Sequence, residues 1–253
     1  MSKIKKQSGR ILKCGVNQTL LYGTIKQYKY LNEQVQRAKD DLSAKRSILC
    51  KDFNIRTTTE EKWLDFDTVN NEATFELSEL RGMYGIGGVD LSAVNDLTCA
   101  SILVEKEGKR YLIQQYFMPK DKLEEKNKDD KVPYDIWAER GLVTLCEGNR
   151  VNPQDVTEWF LKMHHDYDIS AYWVGYDRWE AKYWVEEMKQ QGFAMEEVIQ
   201  GAKTFSMPMK ELEADLRGKR LNYNNNPITK WCLLNTSIEV DKNENIRPVK
   251  RKK

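Results

Sequence analysis

The chain has 253 residues, of which 40% are hydrophobic and 10% aromatic, so it can bury the core of one large domain or of one domain with appendages. It contains no run of 18 apolar residues and no signal-peptide stretch, which excludes a membrane span and predicts a cytoplasmic protein. The five cysteines are scattered without a zinc-binding spacing and indicate reduced, structural thiols.

The formal net charge is only +2, but both ends of the chain are basic. Residues 1–30 hold seven Lys or Arg and no acid, and the last twelve residues hold six against one acid. Basic ends suit contact with phosphate backbones. For each end taken alone, a role in solubility explains the basic residues as well as contact with phosphates does.

The first predicted element is a helix over residues 25–46, whose apolar residues recur at spacings of three and four. Residues 51–80 show weak periodicity and are interpreted as a connecting segment. From residue 85 the pattern changes to three strands, the last two of which are joined by a turn that contains Gly108. These strands are predicted over residues 85–91, 97–105 and 110–117.

The second half of the chain alternates between helices and strands. Residues 120–131 are strongly charged and are predicted to form an exposed loop. Asn152 and Pro153 then predict the start of a helix, as an N-cap and a first-turn proline. The later elements are a strand over 169–176, a helix with a buried face over 181–188, a strand over 195–200, a helix from 206 to 218 and a strand over 228–240. This order predicts an α/β domain with a mixed sheet.

Two aspartates stand at the ends of apolar, strand-like segments, Asp90 after Gly85–Val89 and Asp177 after Ala171–Tyr176. A carboxylate in such a position is costly unless it is paired or bound to a metal. If the two strands are neighbours, both carboxylates can reach divalent cations about 4 Å apart. Oxygen ligands select Mg²⁺ or Mn²⁺ over zinc. We therefore predict a metal-dependent nuclease, whose two ions activate water and stabilise the leaving 3′-oxygen.

Further acids and bases near these positions are candidates with simpler alternatives. Glu180, Asp96 and Asp241 could each supply an additional acid, but Asp96 and Asp241 fit turns and Glu180 fits the first turn of a helix. Asp177 itself could be a helix N-cap. The candidates for contact with DNA phosphates are Arg178, Lys203 and Lys210, although exposed lysines often serve solubility alone.

Several short motifs follow one another in a specific order: Gly88–Ser92 with Asn95–Thr98, Tyr176–Trp179, Gln200-Gly201 with Ser206–Glu213, and Asn226–Trp231 leading to Asp241–Pro248. Each motif alone is weak. Together, from about Tyr28 to the end, they resemble the C-terminal nuclease half of the large terminase subunit of tailed bacteriophages.

This resemblance implies a ribonuclease H-like fold, a mixed sheet flanked by helices. Residues 1–80 would be an N-terminal helical linker segment left from the connection between motor and nuclease, and residues 81–253 the nuclease domain. Asp90 and Asp177 match the family's first two catalytic acids. The implied activity is cutting of concatemeric double-stranded viral DNA with Mg²⁺ or Mn²⁺, in the cytoplasm of a bacterial host. The small terminase subunit and the portal are the implied partners.

Two departures from the family pattern bear on this expectation. The phosphate-loop pattern GxxxxGK[ST] of the family's ATPase motor does not occur, so packaging by this chain alone is excluded. The family's last catalytic aspartate lies in a helix beyond the point where this chain stops at Lys253. The chain therefore resembles a fragment that lacks the C-terminal helix, and its expected activity is weak.

Two other functions stay open at this stage. The chain could be a non-catalytic DNA-binding remnant whose site is incomplete. Residues 88–95 also resemble the first phosphate loop of actin-like kinases and chaperone ATPases, which need a second phosphate loop and a glycine-rich adenosine site. Neither of these additional motifs is found in the sequence.

Overall fold

The computed structural model describes residues 28–40, 48, 52, 61–92, 97–177 and 181–249. The described residues divide into two compact units. Unit 1 comprises those of Met1–Glu61 together with Glu239–Glu244, and unit 2 those of Lys62–Ile238 together with Asn245–Lys253. No helix in the described part of the chain is long and apolar enough to cross a membrane. The functional division predicted at residue 81 stays a prediction.

The helices and strands are numbered along the chain. The helices are α1 Tyr28–Asp40, α2 Phe66–Val69, α3 Leu123–Asp130, α4 Tyr134–Glu139, α5 Pro153–Tyr167, α6 Lys182–Gln190, α7 Ala202–Arg217 and α8 Pro227–Asn235. The strands are β1 Glu61–Lys62, β2 Tyr84–Asp90, β3 Thr98–Lys106, β4 Lys109–Pro119, β5 Val143–Cys146, β6 Ser170–Tyr176, β7 Ala194–Glu197, β8 Leu221–Asn222, β9 Ser237–Val240 and β10 Ile246–Val249. Short 3₁₀ turns cover Leu77–Leu80 and Lys120–Lys122.

Helix α1 of unit 1 confirms the predicted N-terminal helix over its described residues. Leu31, Val35 and Ala38 are buried, as their spacing predicts. The remainder of the predicted span, residues 25–27 and 41–46, lies outside the described residues.

A mixed sheet forms the centre of unit 2, with the strand order β5-β4-β3-β2-β6-β7 and β8 beside β4. The β2–β3 and β3–β4 pairs are antiparallel, whereas β2–β6, β6–β7 and β4–β5 are parallel. In the turn between β3 and β4, Glu107 and Gly108 both have positive φ, which is the geometry of a tight hairpin. The predicted mixed α/β sheet is therefore confirmed.

One face of this sheet is closed by α5 and α6. Phe160 and Met163 of α5 and Trp184 of α6 pack in one buried cluster with Val89 and Val174 of the two central strands. The side chain of Asn152 accepts a hydrogen bond from the Gln154 backbone N–H, so the predicted cap of α5 is confirmed. This packing buries one face of β2 and β6 at the centre of the sheet.

Three predicted elements differ from the structure. Residues 123–130 are the helix α3 and not a loop, because pairs such as Lys126–Asp130 stabilise an exposed helix of alternating charge. Helix α7 begins at Ala202, so Pro208 lies inside the helix and not at its start. Residues 227–235 are the helix α8 and not a strand.

Candidate active site

The predicted pair of aspartates is brought together by the register of β2 and β6. These strands are parallel neighbours, and Val89 lies opposite Tyr176. Asp90 and Asp177 are the next residues on the two strands, so their backbones are about 5 Å apart in a regular sheet. Because parallel partners point to the same face, the structure places two carboxylates side by side.

Both aspartates line one cavity of about 530 Å³ at this end of the sheet. Its other walls include Trp173 of β6, Glu196 of β7 and Phe205 of α7. The cavity therefore combines carboxylates with apolar and aromatic walls. Asp90 is exposed and Asp177 half-buried, so both carboxylates are accessible from solvent.

Two glycines in β2 let the strand lie close to its neighbours beneath this site. A Cβ on Gly85 would come within 2.6 Å of the Ile102 side chain. A Cβ on Gly87 would come within 2.9 Å of Val174 and 3.1 Å of Phe160. Gly85 and Gly87 are thus required by packing on the closed face of the sheet.

The chain just after Asp90 is held at Ser92 by one buried threonine. The Thr98 side-chain oxygen accepts a hydrogen bond from the Ser92 backbone N–H at 2.9 Å and donates one to the Ser92 carbonyl at 3.0 Å. Thr98 is fully buried at the first position of β3. Its hydroxyl therefore anchors the chain on both sides of the loop beside the acid.

Asp177 is positioned by the elements on either side of β6. The Val198 N–H donates to the Tyr176 carbonyl at 2.8 Å, which continues the β6–β7 pairing to the level of the site. After the segment 178–180, helix α6 is fastened to α5 by a buried hydrogen bond from Trp184 Nε1 to Thr157 Oγ1 at 3.0 Å. The strand that leads to Asp177 is thus paired with its neighbour up to Tyr176, the residue before the acid.

A thiol and a phenol lie next to the acid pair. Cys99 is opposite Asp90 on β3, and Tyr116 is opposite Cys99 on β4. Burial, with smaller contributions from Cys232 and Asp90, raises the pKa of the Cys99 thiol to about 12. Burial also raises the pKa of Tyr116, whose hydroxyl lies 2.8 Å from Thr229 Oγ1. Both groups are therefore neutral near pH 7 and add no charge beside the carboxylates.

The remaining predicted site residues are distributed differently. Asp96, Arg178 and Glu180 lie outside the described residues. Asp241 belongs to unit 1, where its side chain accepts a hydrogen bond from the Asn243 N–H at 2.7 Å, as in an Asx turn.

Lys203 and Lys210 are exposed on α7. Lys203 lies in the first turn of the helix, two residues before Phe205, which lines the cavity. Lys210 lies about 7 Å further along the helix axis than Phe205, given the rise of 1.5 Å per residue. Lys203 is therefore placed nearer to the cavity than Lys210.

Glu196 is a cavity residue that the sequence did not suggest. It lies opposite Gly175 in the β6–β7 register, on the face that carries Asp177. The sequence predicts a strand over 195–200, but nothing local distinguishes Glu196 from its neighbour Glu197. Within the described residues, no group of three or more His, Cys, Asp or Glu side chains is close enough to hold a metal ion.

A family whose description is "Terminase large subunit, endonuclease domain" matches residues 18–253. The chain belongs to this family. It is 25% identical over 222 residues to the terminase large subunit of Enterobacteria phage HK97, covering 87% of this chain and 43% of that protein. It is 23% identical over 235 residues to the terminase large subunit of Lactococcus phage p2, covering 87% of this chain and 41% of that protein. This terminase chain thus spans less than half the length of these relatives.

The crystal structure of the HK97 large terminase superimposes on this terminase chain with a TM-score of 0.65 at 24% identity. The match covers 93% of this chain and 49% of that structure. At this identity the likeness shows the fold. It confirms the predicted ribonuclease H-like architecture, a mixed sheet flanked by helices.

Proposed function

We propose that this terminase chain is a metal-dependent DNA endonuclease, with Asp90 and Asp177 as its catalytic acids. The observation that carries the proposal is their side-by-side position at the ends of β2 and β6, in one solvent-accessible cavity. Two adjacent carboxylates repel each other in the absence of a cation. Membership of the endonuclease family supports the same chemistry.

The donor set at this site fits a hard divalent cation. Mg²⁺ is held in proteins by one or two carboxylates together with waters and substrate phosphates, so a group of three protein ligands is not required. Asp90 and Asp177 would hold Mg²⁺ or Mn²⁺, and two such ions would polarise the phosphodiester, favour deprotonation of water and stabilise the leaving 3′-oxygen. Hydrolysis would then leave a 5′-phosphate and a 3′-hydroxyl.

The biological setting follows from the family and extends the proposal. The substrate would be concatemeric double-stranded viral DNA, cut during genome packaging in a bacterial host. The small terminase subunit and the portal would be partners. Lys203 would contact phosphates near the cavity, and Lys210 would contact them further along α7. Arg178, outside the described residues, stays a candidate for phosphate contact from the sequence alone.

The direct test is nicking of a supercoiled plasmid in Mn²⁺ or Mg²⁺ by the wild-type chain and Asp90→Asn. We expect weak, sequence-tolerant cleavage that EDTA and the substitution both abolish. Glu158→Gln, an exposed acid on α5, is the matched control and should cleave like the wild type. Cleavage that persists in Asp90→Asn or in EDTA would show that the site is elsewhere.

A second readout separates metal binding from catalysis. Titration calorimetry with Mn²⁺ should detect binding to the wild type, and this binding should be weaker in Asp177→Asn. Unchanged Mn²⁺ binding in that variant would contradict the assignment.

A DNA-binding remnant without activity is the second candidate, because no group of three potential metal ligands occurs among the described residues. Retention of DNA at low salt with no cleavage in either metal would favour it. The family that matches is one of nucleases and not one of actin-like ATPases.

A further inference from the structure

The face of the sheet that carries the acid pair is open along β2 and β6. Ile86 is 66% exposed and Trp173 is 64% exposed, although both lie in central strands. They are opposite each other in the register, and both line the cavity of Asp90 and Asp177. The apolar surface is therefore continuous with the proposed cleavage site.

A bulge in β6 enlarges this surface. The register shifts between Gly85 and Ile86, so that Tyr172 is an additional residue before Trp173. The Tyr172 ring stacks on Tyr84 of β2, with centroids 5.3 Å apart and planes inclined by 18°. Bulges redirect side chains and are common next to active sites. This one supplies an exposed aromatic surface behind Trp173.

Between the aromatic wall and the carboxylates, the two central strands β2 and β6 contribute no side chains to the floor of the cavity. Gly88 and Gly175 are opposite each other and lie between the two levels. A Cβ on Gly88 would meet only the Ser101 hydroxyl, at 3.3 Å, and one on Gly175 would meet Val198 Cγ2 at 3.1 Å. Packing requires Gly88 much less than it requires the neighbouring glycines of the closed face. The bare floor leaves room for a ligand.

The spacing of residues along the strands defines the size of ligand that fits between the carboxylates and Trp173. Two residues of a strand span about 7 Å. Gly88 and Gly175 are two residues before Asp90 and Asp177 and therefore lie about 7 Å from them along the strands, and Trp173 lies about twice as far from Asp177. With a phosphate at the carboxylates, the attached sugar and base extend over the glycines towards the indole of Trp173. The cavity volume of about 530 Å³ falls in the range of small-ligand sites.

We propose that this cavity receives an unpaired nucleotide next to the scissile phosphate, and that its base stacks on Trp173. A base within a duplex is stacked on its own neighbours and cannot present its face to the protein. The preferred substrate is therefore DNA in which a base has left the duplex at the cut, as in a melted or mismatched stretch. This inference rests on the proposed nuclease function and adds Trp173 as its specificity-determining residue.

The test compares binding and cleavage of three oligonucleotides of one sequence: a full duplex, the same duplex with a short mismatched bubble, and the single strand. Binding is measured by fluorescence anisotropy in EDTA, and cleavage in Mn²⁺ gives KM and kcat separately. We expect the wild type to prefer the bubble and the single strand. Trp173→Ala should weaken binding and raise KM for these two substrates by about tenfold, the typical contribution of one stacked base.

Matched variants show whether stacking is the cause. Trp173→Phe keeps an aromatic face and should retain most of the preference. Tyr183→Ala removes an aromatic ring that is 89% exposed on α6 and should behave like the wild type. Gly88→Ala adds one methyl group to the cavity floor and should weaken binding of the bubble, with folding checked by circular dichroism.

Three results would overturn the inference. They are equal binding of all three oligonucleotides by the wild type, a preference that Trp173→Ala leaves intact, and a dimer in sedimentation that Trp173→Ala converts to a monomer. The dimer would mean that a second copy covers this face. Binding is measured without metal and therefore does not depend on cleavage. An absence of cleavage would contradict the nuclease function, whereas the binding data would still test stacking on Trp173.

Discussion

Two regions of unit 2 place aspartates in different surroundings. Asp215 on α7 is 6% exposed, and its carboxylate accepts hydrogen bonds from the guanidinium groups of Arg110 and Arg220. Asp90 and Asp177 instead end two neighbouring strands and bring like charges to one open cavity. The contrast separates a carboxylate buried between two arginines from two carboxylates that line a solvent-accessible cavity.

The largest expected effect follows from removing one charge of the open pair. Asp177→Asn should reduce the nicking rate at least a hundredfold, the loss typical of deleting one group that stabilises transition-state charge. Its free energy of unfolding should stay within about 0.5 kcal/mol of the wild type, because the position is accessible to solvent. Plasmid nicking and urea denaturation measure the two quantities. A large loss in the free energy of unfolding would show that Asp177, like Asp215, has a mainly structural role.

Asp215→Asn should show the reverse pattern. Loss of the charge leaves two arginines beside a buried amide and should cost about 2 kcal/mol, less than for a fully buried pair because the Arg110 and Arg220 side chains are 38% and 54% exposed. Urea denaturation measures this cost. At a temperature where the variant is folded, its nicking rate should equal that of the wild type. A loss of nicking without a loss of stability would show that Asp215 also acts in cleavage.

The loop beside Asp90 offers a smaller test of how the open site is held. Thr98→Val keeps the shape of the side chain but removes both hydrogen bonds to Ser92, at a cost of about 1 kcal/mol in unfolding free energy. Nicking should fall as well, because Asp90 leads directly into this loop. Thr98→Ser keeps the hydroxyl and is the control. Equal nicking rates in the two variants would show that the loop does not position the acid.

The smallest effect concerns two thiols, the half-buried Cys99 and the buried Cys146, and depends on pH. Burial raises the pKa of Cys99 and of Cys146 to about 12 from the ordinary value of 9.0. The folded state therefore holds these protons to a higher pH than the unfolded state, so their contribution to stability is complete below pH 9 and is lost as the pH rises towards 12. Denaturation curves on either side of pH 9 should show a decline that is smaller in the double variant Cys99→Ala, Cys146→Ala. If stability declined equally in the wild type and in the double variant, the decline would be due to other titratable groups.

The local signals in the sequence predicted most of the central sheet. Gly108 marked the hairpin turn, and the Asn152-Pro153 cap marked the start of α5, because turns and caps depend on a few adjacent residues. The same signal was present at Asn226-Pro227, where the Asn226 side chain accepts hydrogen bonds from two backbone N–H groups of α8. The strand predicted over 228–240 is therefore wrong up to Asn235, because this cap starts a helix, and only Ser237–Val240 form a strand.

The error in α7 has a different physical origin. Ser206 and Pro208 resemble a helix start, yet the helix begins at Ala202. Proline removes one backbone donor, and a helix that is packed along its length can tolerate this loss. The Ser206 hydroxyl, buried in the structure, accepts a hydrogen bond from the Ile246 N–H. A tertiary contact between residues so far apart in the chain cannot be predicted from the local sequence.

The sequence by itself determined that two acids end apolar strands, that glycines precede the first of them, and that the elements form a mixed sheet. These properties follow from periodicity and composition over a few residues. The tertiary structure decided that β2 and β6 are neighbours in a register that aligns Asp90 with Asp177, and that Trp173 faces an open cavity beside them. Strand pairing and surface exposure depend on contacts between residues far apart in the chain, and those contacts are set by packing of the whole unit.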